Sequence, residues 1–201
     1  MRIRRKGSKH NEKLFWGFFF IYLNFNLNFN QHSLNVLPDF VGYILLLQGA
    51  RILEDESEFF SRARPFATGM TIYSAILWIG ALLGVASEAN WITQILGIIS
   101  VIVSLYISWL LIRGVQELEE RHMSDLNGGK LMSLWKGLAV VQIAGGVIGL
   151  MINLMNVGIL AAVTVVLAIV GFVLIVLYLI AWNKSAAAFE NVRRAPSEPE
   201  F

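Results

Sequence analysis

The sequence predicts an all-α fold, a polytopic membrane helix bundle with six transmembrane segments. Three observations predict it. The chain of 201 residues is 56% hydrophobic and only 15% charged, whereas an average soluble domain is roughly 45–50% apolar and about 25% charged. Its apolar residues come in long runs, and a helix needs about 20 of them to cross a hydrocarbon core of about 30 Å. All 16 Lys and Arg residues fall on one side of the membrane when six crossings are drawn. The composition excludes a disordered chain, a collagen-like fibre and a nucleic-acid-binding module, so no nucleic-acid partner is expected. The chain has no cysteine. A disulfide scaffold, a thiolate metal site, an Fe–S cluster and a cysteine nucleophile are thereby excluded.

Four segments meet the length requirement cleanly: 66–87, 91–112, 131–154 and 157–182. Their only charge is Lys136, near one end of its segment, where the side chain can snorkel to the interface. Two earlier segments are weaker. Residues 14–30 have an apolar first half and a polar second half. Residues 34–53 are apolar apart from Asn35, Asp39, Gln48 and Arg51. A cleaved signal peptide would explain the basic stretch before residue 14, but Asn and Phe stand where a small-x-small cleavage site belongs. A retained first helix is therefore expected. The domain organisation that follows is a basic cytoplasmic N-terminus (1–13), a single six-helix membrane domain (14–182) and a cytoplasmic tail (183–201). The final run from Pro196 to Phe201 is expected to be disordered.

Orientation follows from the short loops, where Lys and Arg mark the cytoplasmic side. Arg2, Arg4, Arg5, Lys6, Lys9 and Lys13 precede the first segment. Arg51, Arg62 and Arg64 follow the second. Arg113, Arg121 and Lys130 lie after the fourth, and Lys184, Arg193 and Arg194 after the sixth. The intervening loops hold no Lys or Arg, and the only acidic residues on that side are Asp39 and Glu88. Removing these two from the 14 acidic residues leaves 12 against 16 basic ones, so the formal net charge of +2 divides into +4 on one side and −2 on the other. The expectation is a multi-pass plasma-membrane protein with both termini cytoplasmic. Trp16, Trp109, Trp135 and Trp182 are expected at the cytoplasmic boundary and Trp91 at the outer one, as an aromatic belt. Trp78 lies deeper and is expected to pack against a neighbouring helix.

An offset of 65 residues relates Gly49 to Gly114, Gly80 to Gly145, Gly84 to Gly149 and Glu54 to Glu119. With 17 glycines in the chain, some matches arise by chance, and the pattern is compatible with a duplicated helical hairpin. Gly80 with Gly84, and Gly145 with Gly149, each form a G-x-x-x-G, the spacing that lets helices approach closely in lipid. These pairs are expected to pack segments three and five directly on each other. The rival use is a homo-oligomer face.

The first hairpin carries the most unusual chemistry. From Leu23 to Asn30 apolar residues and Asn alternate with period two. As a helix this stretch would be polar on two sides, which lipid does not tolerate without partners. Three resolutions are open: the helix ends near Tyr22 and the chain runs extended, other helices enclose the segment, or it lines a wet pocket. The period itself suits a strand. Pro38 fits a helix start. Asp39 then meets the positive end of the helix dipole, and Tyr43 lies one turn later on the same face. Gly42 and Gly49 provide a close-packing seam.

The run Leu37-Pro38-Asp39-Phe40-Val41-Gly42-Tyr43-Ile44-Leu45, preceded by alternating Asn residues, resembles a group of uncharacterised multi-pass integral membrane proteins of Gram-positive bacteria. In that group a Leu-Pro-Asn/Asp-Phe-x-Gly-Tyr stretch opens the second helix. The resemblance implies a bacterial plasma-membrane location and carries no activity with it.

Two functions fit these residues. One is a non-catalytic membrane interaction or accessory protein, whose partners are the lipid bilayer and either a second copy or another membrane protein. The other is a small solute-binding or transport component with an outward-facing site built from Asn24, Asn26, Asn28, His32, Asp39 and Tyr43, because intramembrane polar residues are functional candidates. In size it would be similar to the substrate-capture subunits of energy-coupling-factor transporters, although their spaced-alanine contact motif is missing. Taken singly, Asp39 reads as a helix-start residue and His32 as a surface histidine. Catalytic, metal and cofactor-binding residues are not expected. His10, His32 and His122 are scattered, and no H-E-x-x-H, G-x-S-x-G or Walker loop occurs. Glu119-Glu120-Arg121-His122 looks superficially like half of the paired-glutamate motif of intramembrane prenyl-protein proteases; it is expected to be a solvated helix face.

Overall fold

The computed structural model describes residues 8–23, 26–29, 32–35, 38–83, 91–155 and 159–194. In chain order these form helix α1 (Ser8–Tyr22), strands β1 (Asn26–Phe29) and β2 (His32–Asn35), and helices α2 (Asp39–Leu53), α3 (Glu58–Leu82), α4 (Trp91–His122), α5 (Gly128–Met155) and α6 (Ile159–Arg194). The all-α membrane bundle is present, with one small antiparallel hairpin added to it.

Among the described residues, four helices are long and apolar enough to cross a membrane: Glu58–Leu82, Ile95–His122, Gly128–Ile152 and Ala162–Val192. The first two helices differ from expectation. α1 and α2 have 15 residues each, about 22 Å at 1.5 Å per residue. The apolar part of α1, Lys13–Tyr22, is only about 15 Å long. The predicted first segment, 14–30, is therefore not one helix. It is a short helix that stops at Tyr22 and continues into a strand. Its period-two half pairs with β2 in the register Asn26 to Asn35, Leu27 to Leu34, Asn28 to Ser33 and Phe29 to His32. The physical reason is the alternation itself, which places polar residues on one face of a strand but on two sides of a helix. At the other end of the chain, α6 runs on to Arg194, so residues 183–194 of the predicted tail are helical. Residues 195–201 lie outside the described part.

Local chemistry explains the turns after α2 and α4. Ser57 caps α3, its hydroxyl accepting from the Phe59 N–H at 3.3 Å and donating to Glu117 Oε2 of α4 at 2.5 Å. Arg64 pairs with Glu54 across the same corner. After α4, Met123 and Asn127 adopt left-handed backbone angles, φ 46° and 68°. The Ser124 N–H returns to the Glu119 carbonyl at 3.2 Å, the six-to-one bond of a helix stop. The Glu119 carboxylate then receives the N–H groups of Leu126 at 2.8 Å and Gly128 at 2.7 Å. It satisfies orphan donors at the start of α5 and sits at the positive end of that helix. Glu119 is thus a cap and not simply part of a solvated face. Asn127 donates to the Ala181 carbonyl of α6 at 3.1 Å, tying the turn to the last helix.

Neighbouring helices pack in chain order, α1 on α2, α2 on α3, α3 on α4, α4 on α5 and α5 on α6, and α1 also packs on α6. The bundle is therefore a closed ring. Its interior is filled by side chains such as Phe18, Leu46, Phe60, Leu111 and Tyr178, all fully buried. The inner half of α4 contributes much of this core, with Ile107, Leu110, Leu111 and Ile112 buried. Its far end does not, since residues 95–99 are exposed on every face of the helix.

The glycines that bring helices together are not the predicted pairs. A Cβ on Gly17 would meet Leu46 at 2.6 Å, one on Gly42 would meet the Gly17 carbonyl at 2.7 Å, and one on Gly49 would meet Leu14 at 2.6 Å. This seam joins α1 to α2, as the Gly42 and Gly49 spacing predicts. Gly114 is similarly closed by the Phe60 ring at 2.7 Å. In contrast, Gly145 and Gly149 face open space, and α3 and α5 are not packed neighbours. The expectation that Gly80, Gly84, Gly145 and Gly149 join segments three and five is corrected: α4 stands between those segments in the ring. Gly80 is half-buried in α3, and Gly84 lies outside the described residues. Gly49 and Gly114, related by the 65-residue offset, occupy comparable places, each against a side chain of an adjacent helix. Trp182 is also corrected. It is 3% exposed and belongs to the core, whereas Trp16 is 45% exposed. Trp78 meets Phe40 edge to face at 5.6 Å, the interhelical contact expected of it.

Candidate functional site

The predicted polar site divides into two parts. Asn26, Asn28 and His32 lie in the hairpin, and Asn24 lies outside the described residues. Cross-strand partners share a face of an antiparallel ladder. In the register Asn26 stands opposite Asn35 and Asn28 opposite Ser33, whereas His32 stands opposite Phe29 and is not paired with the Asn residues it was grouped with. β2 lies against α3.

Asp39 and Tyr43 form the second part, at the start of α2. Pro38 is the cap residue, one position before the helix, with an extended backbone, and its carbonyl accepts from the Val41 N–H at 3.0 Å. Asp39 occupies the first turn, where its charge complements the helix dipole. Tyr43, one turn later, is 3% exposed and points inward.

Inside the ring, Tyr43 joins a set of polar groups that sequence reasoning missed. Ser104 stands beside the hydroxyls of Tyr43 and Tyr22. Tyr22 and Ser108 share a hydrogen bond of 3.0 Å, and Ser108 donates to the Ser104 carbonyl at 3.0 Å. The Tyr178 ring lies 5.8 Å from that of Tyr22 and 6.2 Å from that of Trp182. Among the described residues, Tyr178 Oη and Trp182 Nε1 are buried without a hydrogen-bond partner. The seam thereby draws on α1, α2, α4 and α6. Signals for it were present: Ser104 with Ser108, and Tyr178 with Trp182, are polar pairs four residues apart inside apolar runs.

The aromatic rings of this seam leave little room. Phe18 stacks on Trp182 at 4.9 Å and meets Tyr178 edge to face at 5.4 Å. Tyr22 lies 5.9 Å from Phe18 and 5.8 Å from Tyr178. Below them is a cavity of about 20 Å³ lined by Leu14, Leu53, Leu118, Leu126, Trp182 and Ser185, enough for about one water molecule. A broader surface groove of about 590 Å³ lies at the α4–α5 turn between Glu119, Glu120, Asp125 and Lys130. Among the described residues, no three His, Asp or Glu side chains converge as a metal site would require.

Four helices long and apolar enough to cross a membrane, among the described residues, define the class: a helical multi-pass membrane protein. No protein-family model, curated protein or solved structure matches the chain.

Proposed function

We propose that this chain is a non-catalytic interaction or accessory protein of the plasma membrane, crossing it six times with both termini in the cytoplasm. The aromatic filling of the ring is the observation that carries this reading. Phe18, Tyr178 and Trp182 are in mutual ring contact, and the adjoining cavity of about 20 Å³ is far smaller than the roughly 300–1,000 Å³ of a small-molecule pocket. The resemblance of residues 37–45 to Gram-positive membrane proteins supports the bacterial plasma membrane, and the distribution of Lys and Arg supports the orientation.

Six crossings require α1 with β1, and β2 with α2, to act as composite segments. The apolar part of α1, Lys13–Tyr22, gives about 15 Å of helix and α2 about 22 Å, and a four-residue strand adds about 13 Å to each, which comes close to a core of about 30 Å in the first case and covers it in the second. The chain has no cysteine, so Ser33→Cys introduces a unique thiol at the hairpin. A membrane-impermeant maleimide added to intact cells labels it if the hairpin reaches the outer surface. Protection until the cells are lysed overturns the six-crossing reading.

The second reading, a polar-solute component, is favoured by the pairing of Asn26 with Asn35 and of Asn28 with Ser33. Proteoliposomes separate the two. An accessory protein gives no solute flux above protein-free vesicles, whereas flux that Asn26→Leu with Asn28→Leu abolishes establishes the solute reading.

A further inference from the structure

We propose that the groove between α3 and α4 binds an anionic phospholipid, with its phosphate at Arg113 and Arg62 and an acyl chain along a strip of aromatic rings. The two helices are packed neighbours, and both are long and apolar enough to cross a membrane. The site therefore exists whether or not α1 and α2 cross.

The strip follows the seam between the helices. Phe66 of α3 meets Tyr106 of α4 edge to face at 5.0 Å. Tyr106 stacks on Trp109 at 5.9 Å, and Trp109 meets Phe59 of α3 at 6.3 Å. Phe66 and Tyr106 are 40% and 41% exposed, so the strip lies on the outside of the ring. At its end two guanidiniums meet one ring: Arg113 lies over Phe59 at 5.6 Å and Arg62 at 6.0 Å. Both helices change character there. Arg113 directly follows the apolar run 91–112, and Phe59 and Arg62 belong to the first turns of α3. Basic residues at such a boundary stand at headgroup depth, with Trp and Tyr just beneath them.

The chemistry of the two arginines selects the ligand. Arg113 Nη1 donates to the neutral Gln116 amide at 3.2 Å. A guanidinium has five N–H donors, so most of its capacity is left for a ligand. Arg62 pairs with Glu58, and Glu117 of α4 is engaged by Ser57 and Arg121. Two arginines and one glutamate leave the site one positive charge in excess, which a single phosphodiester balances. A zwitterionic headgroup brings its own cation and does not. Cation–π contact with Phe59 restrains both side chains, and Arg forms paired, charge-assisted bonds to phosphate oxygens. Lys130 is a useful contrast, because it borders the groove of Glu119, Glu120 and Asp125, where carboxylates oppose an anion.

The test uses the full chain in detergent, with native mass spectrometry to count bound lipids. Phosphatidylglycerol is expected to occupy one site more tightly than phosphatidylcholine of the same chain length. Arg113→Gln should weaken phosphatidylglycerol binding roughly fivefold, the effect of one basic residue at an anionic headgroup. Tyr106→Leu, which interrupts the strip, should weaken it too, and Lys130→Gln should leave it unchanged. Equal effects of Arg113→Gln and Lys130→Gln overturn the proposal, as does an unchanged affinity in Tyr106→Leu. Glycerol phosphate has the headgroup without the chains and should not displace the lipid at equal concentration. Displacement by it, or by inorganic phosphate at equal concentration, assigns the site to a free anion and overturns the proposal. If Arg113→Gln does not fold, the unaltered protein decides alone: phosphatidylcholine bound as tightly as phosphatidylglycerol overturns the proposal.

Discussion

The hydroxyl of Tyr22 on the first helix stands 3.0 Å from that of Ser108 on the fourth, joining elements 86 residues apart in the chain. In hydrocarbon such a bond cannot be exchanged freely for one to water. Tyr22→Phe and Ser108→Ala are each expected to cost about 1 kcal/mol, measured by thermal or denaturant unfolding in detergent. Their coupling in a double-mutant cycle should be about 0.6 kcal/mol, the average for interhelical bonds in a membrane protein. Strict additivity would show that the two hydroxyls do not act on each other.

Gly42 and Gly149 should respond in opposite ways to the same change. A side chain at Gly42 drives into the Gly17 backbone carbonyl, which cannot rotate aside. Gly42→Leu is expected to cost 3 kcal/mol or more, at and beyond the upper end of the roughly 1–3 kcal/mol typical of overpacking, and to loosen α1 from α2. Gly149→Leu meets open space and should stay within about 0.5 kcal/mol. Unfolding midpoints of the two variants in one detergent make the comparison. A large loss at Gly149 with none at Gly42 would reverse the assignment of the packing seam.

Gly114 is closed by a side chain and not by backbone, which makes its defect repairable. Gly114→Ala presses on the Phe60 ring at 2.7 Å and should destabilise by about 1–3 kcal/mol. Adding Phe60→Leu should recover part of that loss, because the smaller side chain vacates the contested volume. Two losses that simply add would mean that the ring and the glycine do not compete.

Glu119 ends one helix and begins the next. Glu119→Ala removes the acceptor for the Leu126 and Gly128 N–H groups and should cost about 2 kcal/mol, in the range for hydrogen bonds to a charged group. Glu119→Gln keeps an acceptor oxygen and should cost about half as much. Hydrogen exchange at Leu126 and Gly128 should accelerate in the Ala variant first.

The four long helices were legible because a continuous apolar run of some 20 residues has one stable solution in lipid. The alternation from Leu23 to Asn30 was legible as strand-like, and the Gly42 and Gly49 seam was legible from its spacing. What could not be read was partnership. A G-x-x-x-G states that something can approach closely and does not say from which helix, so Gly145 and Gly149 looked like the packing seam although α4 intervenes. Tyr22, Ser108, Tyr178 and Trp182 failed to stand out for a related reason. Each is an ordinary membrane-helix residue alone, and their chemistry arises only when ring closure brings α1, α4 and α6 together. Trp182 at the end of an apolar run looked like an interfacial belt residue. The helix continuing to Arg194 and the presence of Phe18 beside it made it core.

The contact between the first helix and the last also sets an order of events during synthesis. Helices pack laterally once they are inserted, and α2 is available to α1 early. The residues that complete the surroundings of α1, Tyr178 and Trp182, leave the ribosome only when almost the whole chain has been made. For most of its translation the nascent protein is therefore an open arc, with Phe18 and Tyr22 lacking their final neighbours. Assembly must finish after elongation, and a chain stopped before Tyr178 would leave α1 packed on α2 alone, without its partner in α6.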